Sequence, residues 1–308
     1  MQPGIAVIYA NVSLPVLSKK SLCSSRIFWR HFMDLGLPVG EIAMLAGLLI
    51  LGGLVAGFLS GLFGVGGGGI LVPILYELFG VLGSPEDIRM HIAVGTSFAI
   101  IIPTTFFAAR AHYKRGSIDT AVLRILGPAA MIGVFVGSIT AKFADDSAMK
   151  IIWVFSASVL SASLVFRKDE WRFSGDVARP AVSVPIGAGV GFLATMMGIG
   201  GGAQITAVLT FYGRPIHKAV GTAAGFGCFV GIPALAGYIW AGWTAEDLPP
   251  WSLGYVSLIG AAAMIPASVL AAPLGVRFAH GLQRRTLELA FAVFLAMVAL
   301  RFLLALFF

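Results

Sequence analysis

The chain has 308 residues, of which 58% are hydrophobic and only 11% charged. A soluble domain carries about a quarter charged residues, and roughly a quarter of the unfolded surface stays wet after folding at this size; so apolar a chain calls for hydrocarbon as its solvent. The net charge of +7 does not point to nucleic acid, because the basic residues lie in short stretches between apolar runs, where membrane topology signals belong.

Residues 1–38 hold Lys19, Lys20, Arg26 and Arg30 but no run of about 20 apolar residues, the length that crosses a bilayer. Gly4–Leu17 is apolar but lacks the preceding basic region of a cleaved signal peptide, so this part reads as an extramembrane tail. Full-length membrane segments are expected at Val39–Phe63, His91–Ala109, Ala121–Ala141 and Met149–Phe166, and again at Pro180–Met197, Val220–Trp240, Trp251–Val276 and Thr286–Phe307. Two shorter apolar runs, Ile70–Phe79 and Ala203–Tyr212, each follow a glycine cluster.

The two sets repeat one another. Gly57–Gly68 and Gly191–Gly202 are identical at seven of twelve positions, His91-Ile-Ala-Val-Gly-Thr96 matches His217-Lys-Ala-Val-Gly-Thr222, and Ile125–Ile132 matches Leu258–Ile265, all in the same order. The fold expected is therefore an all-α integral membrane protein of about ten segments in two five-segment repeats, 39–166 and 180–308, joined by a polar loop at 167–179. With the loop after His91–Ala109 inside, inner loops hold twelve Lys and Arg and outer loops three. Five segments per repeat then place the repeats in inverted orientation, as in many secondary transporters. Four crossings each, with the short segments not spanning, leave them parallel. The four basic residues of the tail lie on the outer side in the inverted arrangement, against the charge rule.

The glycine clusters Gly64–Gly69 and Gly198–Gly202 are the sharpest feature. Each glycine in a helix costs about 1 kcal/mol relative to alanine, and a helix broken inside a membrane is tolerated where its backbone lines a cavity or a ligand. The short segments that follow present free N–H groups and a positive dipole end, which suits an anion. Gly66, Gly67, Gly68, Gly200, Gly201 and Gly202 are the expected substrate amides. The upstream pairs Gly57/Gly61 and Gly187/Gly191 have the spacing of close helix packing. Both clusters satisfy a dinucleotide-type glycine pattern, but a long apolar helix precedes each, and no strand-turn-helix unit surrounds it.

His91 and His217 recur at the start of equivalent segments and are candidate proton-linked gates, or simply interfacial residues. Thr96, Ser97 and Thr222 are candidate substrate hydroxyls, with backbone-bonded threonines as the plainer reading. Gln204 stands beside the second cluster where the first repeat has Ile70. Glu41, Arg124, Glu288 and Arg301 fall near segment ends, where snorkelling to the interface is the default. Cys23 and Cys228 are isolated. No catalytic residue, cofactor or metal ligand set is visible.

The repeated Gly-x-Gly-Gly-Gly after an apolar helix, with Pro73 following, and the repeated His-x-Ala-Val-Gly-Thr resemble the sulfite exporter TauE/SafE family of membrane permeases over about residues 39–307. The resemblance implies a secondary transporter of sulfite, a sulfonate or a related small anion in the bacterial inner membrane. It would work by alternating access, with the two halves moving against each other around the site; a homodimer is compatible with this. An anion channel lined by the same glycines is the main alternative. A membrane-embedded enzyme is a more distant one, since no nucleophile–base cluster lies in a span.

Overall fold

The computed structural model describes residues 39–63, 68–166, 177–245, 247–279 and 283–306. The N-terminal tail, residues 64–67 and most of the inter-repeat loop lie outside them. Two compact units divide the chain, Met1–Met44 and Leu45–Phe308, and the packing below is that of the second.

The first repeat supplies α1 (Val39–Phe63), α2 (Gly68–Val81), α3 (Glu86–Lys114), α4 (Thr120–Phe143) and α5 (Asp146–Val165). The second supplies α6 (Pro180–Met197), α7 (Gly202–Phe211), α8 (Ile216–Ala241), α9 (Leu258–Ala279) and α10 (Arg284–Leu304). Among the described residues, seven helices are long and apolar enough to cross a membrane, while Ala46–Leu62 of α1, α2 and α7 are shorter. Large apolar side chains such as Phe135, Phe155, Leu270 and Met297 face outward, an arrangement suited to lipid and not to water.

Sequence chemistry sets the helix ends. Asp119 and Asp145 cap α4 and α5 by accepting from Val122 N and Ala148 N, each satisfying an amide that has no helical partner. Pro180 opens α6, where a missing N–H costs nothing. The third helix runs five residues beyond His91–Ala109 at each end, and the apolar run from Trp251 does not start as helix. A small antiparallel hairpin, β1 (Ser252–Leu253) and β2 (Val256–Ser257), turns at Gly254 with φ +55° before α9 begins. Apolar content alone cannot distinguish a buried turn from a helical first turn.

The repeats are interleaved. Gly187 and Gly191 of α6 lie against the Leu126 and Ala130 backbone of α4, and a side chain on Gly133 would collide with the Ala188 carbonyl. In the same manner Gly57 and Gly61 of α1 lie against Ser268 and Ala272 of α9, and Gly275 meets the Phe58 carbonyl. Equivalent helices also meet directly. Phe98 near the middle of α3 packs 5.9 Å from Tyr238 near the end of α8, while Ser117, just past α3, meets Gly221 near the start of α8. α3 and α8 thus run antiparallel. So do α5 and α10, with Trp153 5.0 Å from Phe302 and Ser161 donating to the Ala292 carbonyl at 2.9 Å.

Gly133→Ala is expected to cost about 1–3 kcal/mol through overpacking, because the carbonyl it meets cannot move without shifting α6. Gly189→Ala, with nothing within 4 Å of the added Cβ, should be neutral or gain up to about 1 kcal/mol of helix propensity. Thermal unfolding in detergent compares the two; equal stabilities would refute the close-packing account.

Candidate functional site

α6 stops at Gly198, whose φ of +69° is left-handed. Ile199 N still reaches back to Ala194 O at 3.0 Å, and Gly201, at φ +73°, starts α7 by accepting from Ile205 N at 3.0 Å. Two left-handed glycines therefore turn the chain inside four residues, a conformation that side chains resist. At Gly201 space is closed as well, since an added Cβ would lie 2.7 Å from Phe226.

The start of α2 meets the break of the second repeat. An added Cβ on Gly68 would lie 2.5 Å from both Gly198 O and Ile199 Cα, and 2.9 Å from Ile101 near the middle of α3. Ser97 Oγ lies 2.7 Å from the Val94 carbonyl and 2.9 Å from the Gly198 carbonyl, donating between them. Gly200 sits beside Gly227 of α8 and Thr105 of α3. The starts of two short helices, α2 and α7, are thus brought to the centre of the fold. Their first-turn N–H groups have no partner within their own helix, and the dipole adds partial positive charge. Gln204 stands in this first turn: its Nε2 lies 3.8 Å from Met197 Sδ, and its buried Oε1 has no hydrogen-bond partner among the described residues. Gly68, Ser97, Gly200, Gly201, Gly202 and Gln204 form this neighbourhood, while Gly66 and Gly67 lie outside the described residues.

The threonines go elsewhere. Thr222 Oγ1 accepts from Asp119 N at 2.8 Å, and Thr96 Oγ1 accepts from Ser257 N at 3.0 Å. Asp119 and Ser257 are the residues that precede α4 and α9. The glycine before each threonine plays a matching part, because Gly221 lies under the Ser117 carbonyl and Gly95 under the Tyr255 carbonyl. In both repeats, then, Gly-Thr holds the loop entering the fourth helix of the other repeat, with the glycine admitting a carbonyl and the threonine taking the amide two residues on.

The two histidines differ. His91 is buried, its Nε2 3.0 Å from Ala141 O and its ring 4.8 Å from that of Tyr255, whereas His217 is exposed. Beside His91, Asp146 accepts from Met90 N at 2.8 Å and pairs with Lys150 at 2.7 Å; both charges are nearly enclosed. Glu288 pairs with Arg285 at 3.8 Å. Among the described residues no group of three His, Cys, Asp or Glu could hold a metal.

A profile of the sulfite exporter TauE/SafE family matches residues 49–302. The chain belongs to that family. It is 34% identical over 253 residues to a probable membrane transporter protein of Haemophilus influenzae, covering 82% of this chain and 96% of the relative. Similar proteins from Methanocaldococcus jannaschii and Bacillus subtilis, also described as probable membrane transporters, are 26% and 24% identical, covering 86% and 82% of this chain and 97% and 94% of their own lengths. No solved structure matches. The protein is therefore a multi-pass membrane transporter of the TauE/SafE type.

Sequence reasoning missed Thr105, Gly227 and Tyr255 in this transporter. Gly227 had a signal, a small residue in the middle of an apolar helix; Tyr255 had none, because its loop acts through backbone carbonyl and amide groups.

Thr222→Val preserves shape but strands a loop amide, which should cost about 1–3 kcal/mol. The expected result is a lower melting temperature with an unchanged KM for transport by the folded fraction. A raised KM at unchanged melting temperature would instead make Thr222 a substrate contact.

Proposed function

We propose that the protein is a secondary carrier for a small sulfur-containing oxyanion or organic anion, such as sulfite or a sulfonate, across the bacterial inner membrane. The observation that carries this reading is the contact of Gly68, where α2 starts, with Gly198 and Ile199 of the break before α7, beside Ile101. Hydrogen bonds to a charged partner contribute about 1.5–3 kcal/mol each, so a few amides from Gly66–Gly68 and Gly200–Gly202 suffice to hold an oxyanion. Ser97 and Gln204 supply the side-chain contacts. Thr96 and Thr222 act one step away, by fixing where α9 and α4 begin.

The antiparallel courses of α3 against α8 and of α5 against α10 support inverted repeats, with the two short helices ending their crossing at the centre. In an inverted pair, exchanging the conformations of the two repeats converts one facing state into the other. Close packing of Gly68 on Gly198 and Ile199 supports a carrier over a channel, since a standing pore would keep those backbones apart. His91 and His217 are the proton-linked candidates on the two sides. The domain division is the tail 1–38, repeats 39–166 and 180–308, and the loop between them.

Purified protein in liposomes, offered sulfite, sulfate, sulfoacetate and thiosulfate with and without a pH gradient, should show saturable flux of one anion class. Gly201→Val is expected to abolish it with normal membrane insertion, because both φ and Phe226 exclude a side chain. Normal sulfite flux in that variant would dismiss the site, and ohmic, unsaturated flux would favour the channel. Orientation has its own test. In a chain with Cys23 and Cys228 replaced by serine, Glu86→Cys should react with an impermeant thiol reagent from the periplasm and Lys218→Cys only after lysis; labelling of both from one side would make the repeats parallel.

A further inference from the structure

Away from the glycine breaks, α1, α2 and α10 leave an apolar groove of about 410 Å³, walled by Leu48, Pro73, Leu78, Phe294, Val298 and Phe302. Its lining is hydrocarbon except at one place, where Glu77 and Arg301 pair across it at 3.3 Å with side chains 54% and 57% exposed. The level of that pair follows from helix geometry. Glu77 stands nine residues beyond Gly68 on α2, about 13 Å at 1.5 Å per residue, and Gly68 lies against the middle of α3. A hydrocarbon core about 30 Å thick puts the pair near its edge, where headgroups begin, and the groove below it among acyl chains.

An anion and a cation fixed side by side at headgroup depth, above a single apolar slot, complement a molecule with the opposite charges at the same spacing and one tail to bury. One contact between Glu77 and Arg301 engages a fraction of what they offer: the guanidinium carries five N–H donors, and the carboxylate has two acceptor oxygens. We infer that the groove is a binding site for an ethanolamine phospholipid, with phosphate on Arg301, ammonium on Glu77 and one acyl chain between α2 and α10. Phosphatidylcholine carries the same phosphate, but its quaternary nitrogen has no N–H to donate to Glu77. Phosphatidylglycerol has no cation at all. Headgroup choice therefore reads out the carboxylate, and overall retention reads out the arginine and the groove.

The experiment is native mass spectrometry of the full chain in mild detergent, titrated in turn with phosphatidylethanolamine, phosphatidylcholine and phosphatidylglycerol of matched chains. Phosphatidylethanolamine should bind one per chain and about tenfold more tightly than the other two, a ratio equal to about 1.4 kcal/mol. Glu77→Gln should bring it down to the phosphatidylcholine level, Arg301→Gln should weaken all three, and Val298→Trp should weaken all three by filling the slot. Size exclusion and melting temperature identify any variant that has failed to fold, and the wild-type headgroup ranking stands independently of the variants. Equal binding of the three lipids, or a preference unchanged in Glu77→Gln, overturns the assignment. So does a dimer that Val298→Trp dissociates, since a second copy of the chain would then be the occupant.

Discussion

A backbone that stops being helical inside hydrocarbon leaves amides and carbonyls that no solvent will take. The glycine break between α6 and α7 survives because the protein supplies those partners. Ile199 turns its N–H back to Ala194, Ile205 uses the Gly201 carbonyl, and Ser97 brings a hydroxyl from the middle of α3 to the Gly198 carbonyl. The same requirement recurs where loops dip in to start α4 and α9. There Gly95-Thr96 and Gly221-Thr222 provide the landing, one residue making room for a carbonyl and the next accepting an amide. The repeated Gly-Thr of the two halves is thus one structural device used twice.

Those landings cross between repeats, and this bears on how the molecule can move. α4 is held at its start by α8 and along its length by α6, while α1 lies on α9 and α3 holds the loop before α9. Each repeat therefore covers glycine faces that belong to the other. Separating the sequence halves would expose the backbone contacts at Gly57, Gly133 and Gly191 to lipid. In the carrier proposed above, any moving unit would accordingly mix elements of both repeats, with α1 packed on α9 and α4 on α6. A picture in which residues 39–166 rock as one body against 180–308 conflicts with that packing.

Much of this was legible in the residues. Apolar length and glycine spacing located every helix, most to within a few residues; α3 extends five residues further at each end and α9 starts seven residues late, and the packing role of Gly57, Gly61, Gly187 and Gly191 followed from their four-residue spacing. The meeting of the two breaks was legible only as a repeat, because nothing in a one-dimensional pattern says that Gly68 faces Gly198. The threonines illustrate the harder limit. A hydroxyl inside a span suits a substrate, its own backbone or a neighbouring loop equally well. In the structure each accepts from a loop amide, of Asp119 or Ser257, that lies 103 or 161 residues away in sequence.

The departures from symmetry are where the site acquires a direction. The first repeat places fully enclosed Ile70 where the second places Gln204, whose carboxamide oxygen is buried without a partner among the described residues. It places His91 under Tyr255 and beside the Asp146–Lys150 pair, where the second repeat leaves His217 exposed. A buried ion pair gains little net stability once the desolvation of both charges is counted, so enclosure of Asp146 and Lys150 needs a structural reason, and one is visible: Asp146 also takes the Met90 amide at the start of α3. That end of the molecule is clamped by charge, by the Tyr255 ring packed on His91 and by the hairpin before α9. The opposite end relies on the Asp119 cap and its looser 3.5 Å contact with Arg214. The two ends, related by duplication, are thus tied down unequally. The unpartnered buried carboxamide of Gln204 belongs to the second repeat, and the more heavily tied end is the one where α3 begins.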